Sequence, residues 1–169
     1  MNSPLSAEIA AAAARLVVDE GMEYGPAKRK AARLLGHRNT RAAALPGNDA
    51  VEDEVRAHLE LFHAATQPAE LAALRALAAR WMERLAEFRP HLTGAVWRGT
   101  ATRLNNVHLE LFCDDSKAAE IALLDHAIDY EVGSHRGPRG DDVDLLVLSS
   151  PCPALGAPPE EGHHQAGER

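Results

Sequence analysis

Aromatic residues and cysteines are scarce in this sequence of 169 residues, and its apolar runs are short. Phenylalanine, tryptophan and tyrosine make up only 4% of the chain. The core must therefore rest mainly on alanine, leucine and valine, which suits packed helices better than a large β-sandwich. The two cysteines, Cys113 and Cys152, lie far apart and lack a Cys-x-x-Cys spacing. This pattern indicates neither a disulfide framework nor a zinc finger and favours the reducing environment of the cytoplasm.

The sequence also lacks a membrane-spanning segment and an excess of positive charge. No apolar run approaches the roughly 18 residues that a membrane span requires, and the N-terminus lacks the basic and apolar regions of a secretion signal. The formal net charge of -7 argues against a general nucleic-acid-binding protein, because phosphate binding needs a basic surface. We therefore expect a cytoplasmic protein without a membrane partner.

Hydrophobic periodicity predicts a helical region over residues 1–90, with about four helices. Ser6 is the expected N-cap of the first helix, which Gly21 ends. Asp49 and Glu52 have the spacing of a capping box at the start of the third helix. The predicted helices span residues 6–20, 26–35, 49–62 and 68–88.

The second predicted helix, residues 26–35, carries the only dense basic cluster in this acidic sequence. Its basic residues are Lys28, Arg29, Lys30 and Arg33. Two interpretations of the cluster remain open. The first is a solvated helix face, which is the usual role of charged residues on a helix. The second is a contact surface for phosphate, RNA or a protein partner, extended by Arg38 and Arg41.

The stretch from His91 to Asp115 is predicted to begin as a short strand that breaks at Gly94, to turn at residues 98–100 and to continue as a second strand. Side chains in a strand alternate between its two faces. The second strand has an apolar face with Val107, Leu109, Leu111 and Cys113, and a polar face with Asn106, His108 and Glu110. We expect the apolar face to contact the core, with Cys113 as a buried and inert thiol. The polar face is a candidate site.

After this stretch the pattern predicts a helix capped by Ser116, two further strands and a disordered tail. The two strands are expected over residues 128–132 and 143–148. Residues 149–169 contain many prolines and no periodicity, which is typical of disorder. The predicted fold class is therefore α+β, with the helical region packed on a small mixed sheet within an αβ core over residues 91–148.

The segment from Gly94 to Ala101, followed by Asn106-Val107-His108-Leu109-Glu110, resembles the nucleotidyltransferase superfamily of polymerase-beta-like proteins. That superfamily shows a Gly-Ser pair, an Arg-Gly-x-Ala turn and an Asp-x-Asp pair on the next strand. The resemblance covers residues 91–148 and implies a fold in which a later strand supplies a third carboxylate. A small group of bacterial proteins with an Ala- and Arg-rich helical front half and an AKRKAA-like segment is also similar to this chain.

The resemblance implies a role for particular residues. Glycines allow backbone N–H groups to approach a phosphate closely, and the implied nucleotide-binding residues are Gly94, Arg98, Gly99 and Thr100. The implied catalytic residues are His108, Glu110 and Asp144. The implied metal ligands are Asn106, His108, Glu110 and Asp142. The implied cofactors are a divalent metal ion, Mg²⁺ or Mn²⁺, and a nucleoside triphosphate, because metal ions neutralise charge in nucleotidyl transfer.

Three residues depart from the superfamily pattern. Ala95 replaces the family serine, and Asn106 and His108 stand where the family has its two metal-binding aspartates. Mg²⁺ prefers oxygen ligands, so an amide and an imidazole are poor replacements for two carboxylates. Either the protein binds a nucleotide and transfers a nucleotidyl group through a degenerate metal site, or it has lost the reaction.

Other interpretations of the same residues remain open. A polar strand face such as that of Asn106, His108 and Glu110 is equally typical of a solvated surface. His108 and Glu110, joined by Asp144 or His126, would suit Zn²⁺ or Mn²⁺. The chain also fits a non-catalytic module that docks a protein or RNA partner. A strand edge left open before the tail would favour self-association.

Overall fold

A computed structural model describes residues 3–38, 41, 44–115, 117–137 and 139–156. The protein is α+β, as the sequence predicts. The helices are α1 Pro4–Glu20, α2 Tyr24–Leu34, α3 Asn48–Phe62, α4 Gln67–Arg84, α5 Gly94–Arg98 and α6 Ala118–Asp125. The strands are β1 His91–Thr93, β2 His108–Glu110, β3 Glu131–Arg136 and β4 Asp142–Val147, and 3-10 helices cover Ala86–Phe88 and Pro153–Leu155. None of the described helices combines the length and the apolarity that crossing a membrane requires.

The chain divides into two compact units. Unit 1 comprises Met1–Ala76 and Leu92–His108, and unit 2 comprises Leu77–His91 and Leu109–Arg169. Helix α4 therefore contributes residues to both units. The segment 91–148, which the sequence predicts to be one αβ core, is also divided between the two units.

Helix α1 starts earlier than predicted because Ser3, rather than Ser6, is its N-cap. The Ser3 hydroxyl oxygen accepts a hydrogen bond from the backbone N–H of Ser6 at 3.2 Å. Pro4 occupies the first turn, where a backbone N–H would have no partner within the helix. Gly21 ends the helix as predicted, in the left-handed conformation with a φ of 67°.

Helix α3 starts at Asn48, and the capping box predicted at its start is absent. Gly47 is the N-cap residue and makes no side-chain capping bond. Asp49 lies in the first turn, where a negative charge stabilises the helix dipole. Glu52 bonds instead to the side chains of Tyr24 and Arg98. Tertiary contacts have thus replaced the local motif.

The core of unit 1 forms among α1, α2 and α3. Ile9, Val51 and Val55 are almost completely buried, and burial of each such side chain contributes about 1.5–3 kcal/mol. Helix α2 buries only alanines, and its lysines are partly buried while its arginines are exposed. The buried apolar residues of these helices are Ile9, Ala10, Ala13, Ala14, Leu16, Val17, Val18, Ala27, Ala31, Ala32, Val51, Val55 and Leu59.

The strands form two two-stranded sheets, β1 with β2 and β3 with β4, where one small mixed sheet is predicted from the sequence. Strands β3 and β4 are antiparallel, with Glu131 opposite Val147 and Arg136 opposite Asp142. Only residues 137–141 separate the two strands. A connection this short permits a hairpin but not the longer crossover that parallel strands require.

The core of unit 2 combines the second half of α4 with α6. Trp81 is buried, and its Nε1 donates a hydrogen bond to the Ser150 hydroxyl oxygen at 2.9 Å. Ser150 belongs to the predicted tail, of which residues 157–169 lie outside the described residues. The predicted helix cap Ser116 also lies outside them. The buried apolar residues of unit 2 are Leu77, Ala78, Trp81, Leu85, Phe88, Ala119 and Leu123.

Candidate functional site

The predicted phosphate-binding turn lies at the C-terminal end of the short helix α5. Gly94 and Gly99 have left-handed backbones, with φ of 72° and 85°, which glycine adopts without steric penalty. The backbone N–H groups of Gly99 and Thr100 both donate to the carbonyl oxygen of Ala95, at 2.9 and 3.0 Å. These two N–H groups therefore close the helix end. Thr100 is buried, and its Oγ1 has no hydrogen-bond partner among the described residues.

Two side chains of α4 bind the carbonyl groups of this turn. Gln67 donates through Nε2 to the carbonyl oxygens of Gly99 and Ala101, at 3.1 and 3.0 Å. Arg75 donates to the carbonyl oxygens of residues 96 and 97, at 3.1 and 3.2 Å. The turn is thus bound to α4 through four hydrogen bonds to its backbone.

The Arg98 guanidinium is engaged in an ion-pair network within unit 1. Its Nε lies 3.2 Å from Glu52 Oε2, and its guanidinium carbon lies 5.4 Å from the centre of the Tyr24 ring. The mostly buried Glu52 also accepts from Arg56 at 3.1 Å and from the Tyr24 hydroxyl. Burial, followed by the hydrogen bond to Glu52, raises the pKa of Tyr24 to about 12. The network holds α2, α3 and α5 together.

Residues 106–110 alternate between exposed polar and partly buried apolar side chains, as the sequence predicts, and the strand β2 itself covers His108–Glu110. Asn106, His108 and Glu110 are exposed, and the residues between them are partly buried. Gly94 lies beside His108, since a Cβ added to Gly94 would be in van der Waals contact with Cδ2 of His108 at 3.4 Å. His108 belongs to unit 1 and Glu110 to unit 2.

Cys113 is half-buried, a correction to the prediction that its thiol is buried. Burial and then the negative charge of Asp114 raise the pKa of this thiol. A raised pKa lowers the thiolate fraction at neutral pH, and the thiolate is the reactive form.

The implied third carboxylate lies on the exposed β4 strand of unit 2. Asp142 is opposite Arg136 of β3, and Asp144 lies near the Lys117 ammonium. The hydrogen bond to Glu120 chiefly, and the charge of Asp144 to a smaller extent, raise the pKa of Lys117. Arg136 and Lys117 are thus the cationic residues beside these two carboxylates.

Among the described residues, one group of three His, Cys, Asp or Glu side chains brings its ligand atoms within 4.8 Å of one another. It consists of Asp19, His58 and His63 and lies in unit 1. Asp19 Oδ1 lies 3.3 Å from His58 Nε2 and 3.4 Å from His63 Nε2. None of the metal ligands implied by the resemblance belongs to this group. His126, the other histidine considered as a ligand, is exposed after α6.

These three residues were not predicted from the sequence as a group. The distance along the chain explains the omission, because Asp19 precedes His58 by 39 residues. The available signal was a pair of histidines at the end of a predicted helix. Their spacing differs from the i, i+4 separation that places two ligands on one helix face.

The basic cluster of α2 is partly used inside the fold. Lys28 donates to the Pro46 carbonyl and the Asn48 side chain, at 3.1 and 2.9 Å, and Lys30 pairs with Glu20 at 2.6 Å. The arginines are exposed. A shallow depression of about 430 Å³ is lined by Lys30, Arg33, Leu34 and Arg38. We call these four residues the α2 basic surface.

Comparisons with the models of protein families, with curated proteins and with solved structures find no match to this chain.

Proposed function

We propose that this protein is a non-catalytic interaction module with a nucleotidyltransferase-like sequence, and that its α2 basic surface docks an acidic segment of a partner protein. The observation that carries the proposal is the engagement of the implied phosphate-binding groups inside unit 1. The Gly99 and Thr100 N–H groups donate to Ala95, and Arg98 pairs with Glu52. A phosphate at this turn would have to displace those bonds.

The residues at the implied metal-ligand positions also support a non-catalytic protein. Two positions that are aspartates in the superfamily are Asn106 and His108 here, and Mg²⁺ binds poorly to such ligands. Transfer of a nucleotidyl group depends on metal ions that neutralise the charge of the phosphates. The replacements therefore support a protein that does not transfer nucleotidyl groups.

The α2 basic surface supports a docking role because it combines charge with exposed apolar area. Leu34 is 69% exposed and its neighbour Leu35 is 39% exposed. Arg33 and Arg38 lie beside them and form no ion pair with any residue that the structure describes. Arginine and apolar side chains in one patch are typical of the central part of protein interfaces.

A protein partner fits this surface better than RNA does. Recognition of single-stranded RNA relies on aromatic side chains that stack on the bases, and the α2 basic surface contains none. An acidic amphipathic segment would pair carboxylates with Arg33 and Arg38 and cover Leu34.

The first experiment tests the loss of nucleotide binding. The purified protein and a His108→Ala, Glu110→Ala double variant are heated with each of the four nucleoside triphosphates, with Mg²⁺ or with Mn²⁺. A ligand at about a hundred times its dissociation constant stabilises a protein by roughly 2.7 kcal/mol, so bound nucleotide would be visible. We expect no shift. A metal-dependent shift that disappears in the double variant would establish the nucleotidyltransferase site instead.

The second experiment measures docking by the fluorescence anisotropy of a labelled peptide with alternating glutamate and leucine. The Arg33→Glu, Arg38→Glu double variant should bind the peptide at least tenfold more weakly, which corresponds to about 1.4 kcal/mol. Arg80→Glu is the matched control, because Arg80 is exposed on α4 in unit 2. Equal affinities for all three proteins, or tighter binding of a uridine-rich RNA of similar length, would contradict the proposal.

A further inference from the structure

We propose that Asp19, His58 and His63 form a binding site for a divalent first-row transition metal ion of the Zn²⁺ class. This site goes beyond the docking function and shares no residue with the α2 basic surface. Asp19 lies near the end of α1, His58 lies in the last turns of α3, and His63 directly follows α3.

The packing of α1 against α3 brings the three ligands together. The buried side chains Val17 and Val18 precede Asp19 on α1, and the buried Leu59 follows His58 on α3. These apolar neighbours fix the register of the two helices, and the polar side chains then project from the same end of the pair. The position of the ligands is thus set by the core of unit 1.

The distances fit a metal coordination shell. Zinc bonds of 2.0–2.1 Å in tetrahedral geometry place any two ligand atoms about 3.3–3.4 Å apart. Asp19 Oδ1 lies 3.3 Å from His58 Nε2 and 3.4 Å from His63 Nε2. Direct N–H···O hydrogen bonds most often measure about 2.9–3.0 Å. Both separations equal the distance between two ligands of a tetrahedral ion, and both are longer than an optimised hydrogen bond.

The chemistry of the ligand set selects the class of ion. Two imidazole nitrogens and one carboxylate oxygen suit Zn²⁺ and its neighbours in the first transition row, whereas Mg²⁺ and Ca²⁺ require mostly oxygen ligands. The side chains of His58, His63 and Asp19 are 13%, 33% and 51% exposed. An ion held by them would have protein on one side and solvent on the other. Three protein ligands with water in the fourth position are typical of an accessible zinc site.

The test is a calorimetric titration of the full chain with Zn²⁺, repeated with Co²⁺ to read the ligand geometry from its visible absorption. We expect one ion per chain and a tetrahedral Co²⁺ spectrum, with no competition from millimolar Mg²⁺. Asp19→Asn and His63→Ala should each lower the Zn²⁺ affinity at least tenfold. Circular dichroism of each variant verifies that its helices remain folded.

Two controls separate this site from other histidines of the chain. A His163→Ala, His164→Ala double variant removes the adjacent histidines of the tail, and His126→Ala removes an exposed histidine of unit 2. Both should bind Zn²⁺ as the unmodified protein does. The absence of Zn²⁺ binding to the unmodified protein, or an unchanged affinity in Asp19→Asn and His63→Ala, would overturn the proposal. Neither result depends on a docking partner, so the site can fail while the docking function stands.

Discussion

Three other side chains depend on the carboxylate of Glu52. It accepts hydrogen bonds from Tyr24, Arg56 and Arg98, and it is mostly buried. A hydrogen bond to a charged group contributes about 1.5–3 kcal/mol. We expect Glu52→Gln to lower the free energy of unfolding by about 2 kcal/mol, measured by urea denaturation. Glu60→Gln, at an exposed position of the same helix, should change it by less than about 0.5 kcal/mol.

The raised pKa of Tyr24, about 12 against an ordinary value of 10.0, predicts a loss of stability in alkaline solution. Above pH 10 the unfolded chain loses the phenolic proton while the folded protein keeps it. The folded state then binds more protons, so stability falls as the pH rises. The contribution of Tyr24 is complete below pH 10 and is lost between pH 10 and about 12.

Tyr24→Phe isolates this contribution because phenylalanine has no proton to lose. We expect the urea midpoint of the unmodified protein to fall more steeply between pH 9.5 and 11.5 than that of the variant. Parallel curves for the two proteins would show that the folded and unfolded chains bind this proton equally.

Cys113 provides a prediction about chemical reactivity. Burial and the charge of Asp114 raise its pKa, so its thiol should react slowly with a disulfide reagent near pH 8. The rate is measured in a Cys152→Ser background, which leaves one thiol. Asp114→Asn should increase the rate, because removal of the negative charge lowers the pKa and enlarges the thiolate fraction. A rate that does not change would assign the low reactivity to burial alone.

At the scale of the elements, two glycines at helix ends should respond in opposite ways to substitution by alanine. Gly99 follows α5, and Gly25 lies in the first turn of α2. Gly99 has a φ of 85°, where a side chain is strained by about 1–2 kcal/mol. Gly25 lies within α2 with an ordinary helical backbone and has room for a Cβ. We expect Gly99→Ala to destabilise the protein by about 1–2 kcal/mol and Gly25→Ala to stabilise it by about 0.5 kcal/mol. Thermal or urea unfolding of both variants measures the two changes in stability. Changes of the same sign would contradict the explanation from backbone conformation.

The sequence predicted the helices well because the apolar periodicity of α1, α3 and α4 records which side chains are buried. It predicted their starts less well. Ser6 and Asp49 both fit capping rules, yet Ser3 caps α1 and Gly47 precedes α3. The capping-box residue Glu52 joined a network with residues of other elements, and no local pattern contains that information.

The strands and the candidate metal site were predictable only in part. The alternation of exposed and partly buried side chains along residues 106–113 was predicted correctly, since it depends only on the local extended chain. The pairing of strands into two sheets depends on long-range contacts. The same holds for Asp19 and His63, which come from helices that are distant in sequence and meet only because the core of unit 1 packs α1 against α3.

At the scale of the whole molecule, the β3–β4 hairpin has an apolar face that is open to solvent. Val143, Leu145 and Val147 alternate along β4 and are 40–49% exposed. An exposed apolar face of this kind favours association between copies of the chain. We expect a sedimentation coefficient that rises with concentration, and a smaller rise for Leu145→Lys. Leu124→Lys, at an exposed leucine of α6, is the matched control. A concentration-independent coefficient would contradict this prediction.

The interleaving of the two units along the chain also affects the order in which they are synthesised. Unit 1 needs Leu92–His108, yet the ribosome must first release Leu77–His91, which belong to unit 2. At roughly 5–20 residues per second, that segment takes about 1–3 s. During this interval the helices of unit 1 exist without the turn that Gln67 and Arg75 bind. Gln67 and Arg75 therefore gain their carbonyl partners only after residues 77–91, and then the turn itself, have been synthesised.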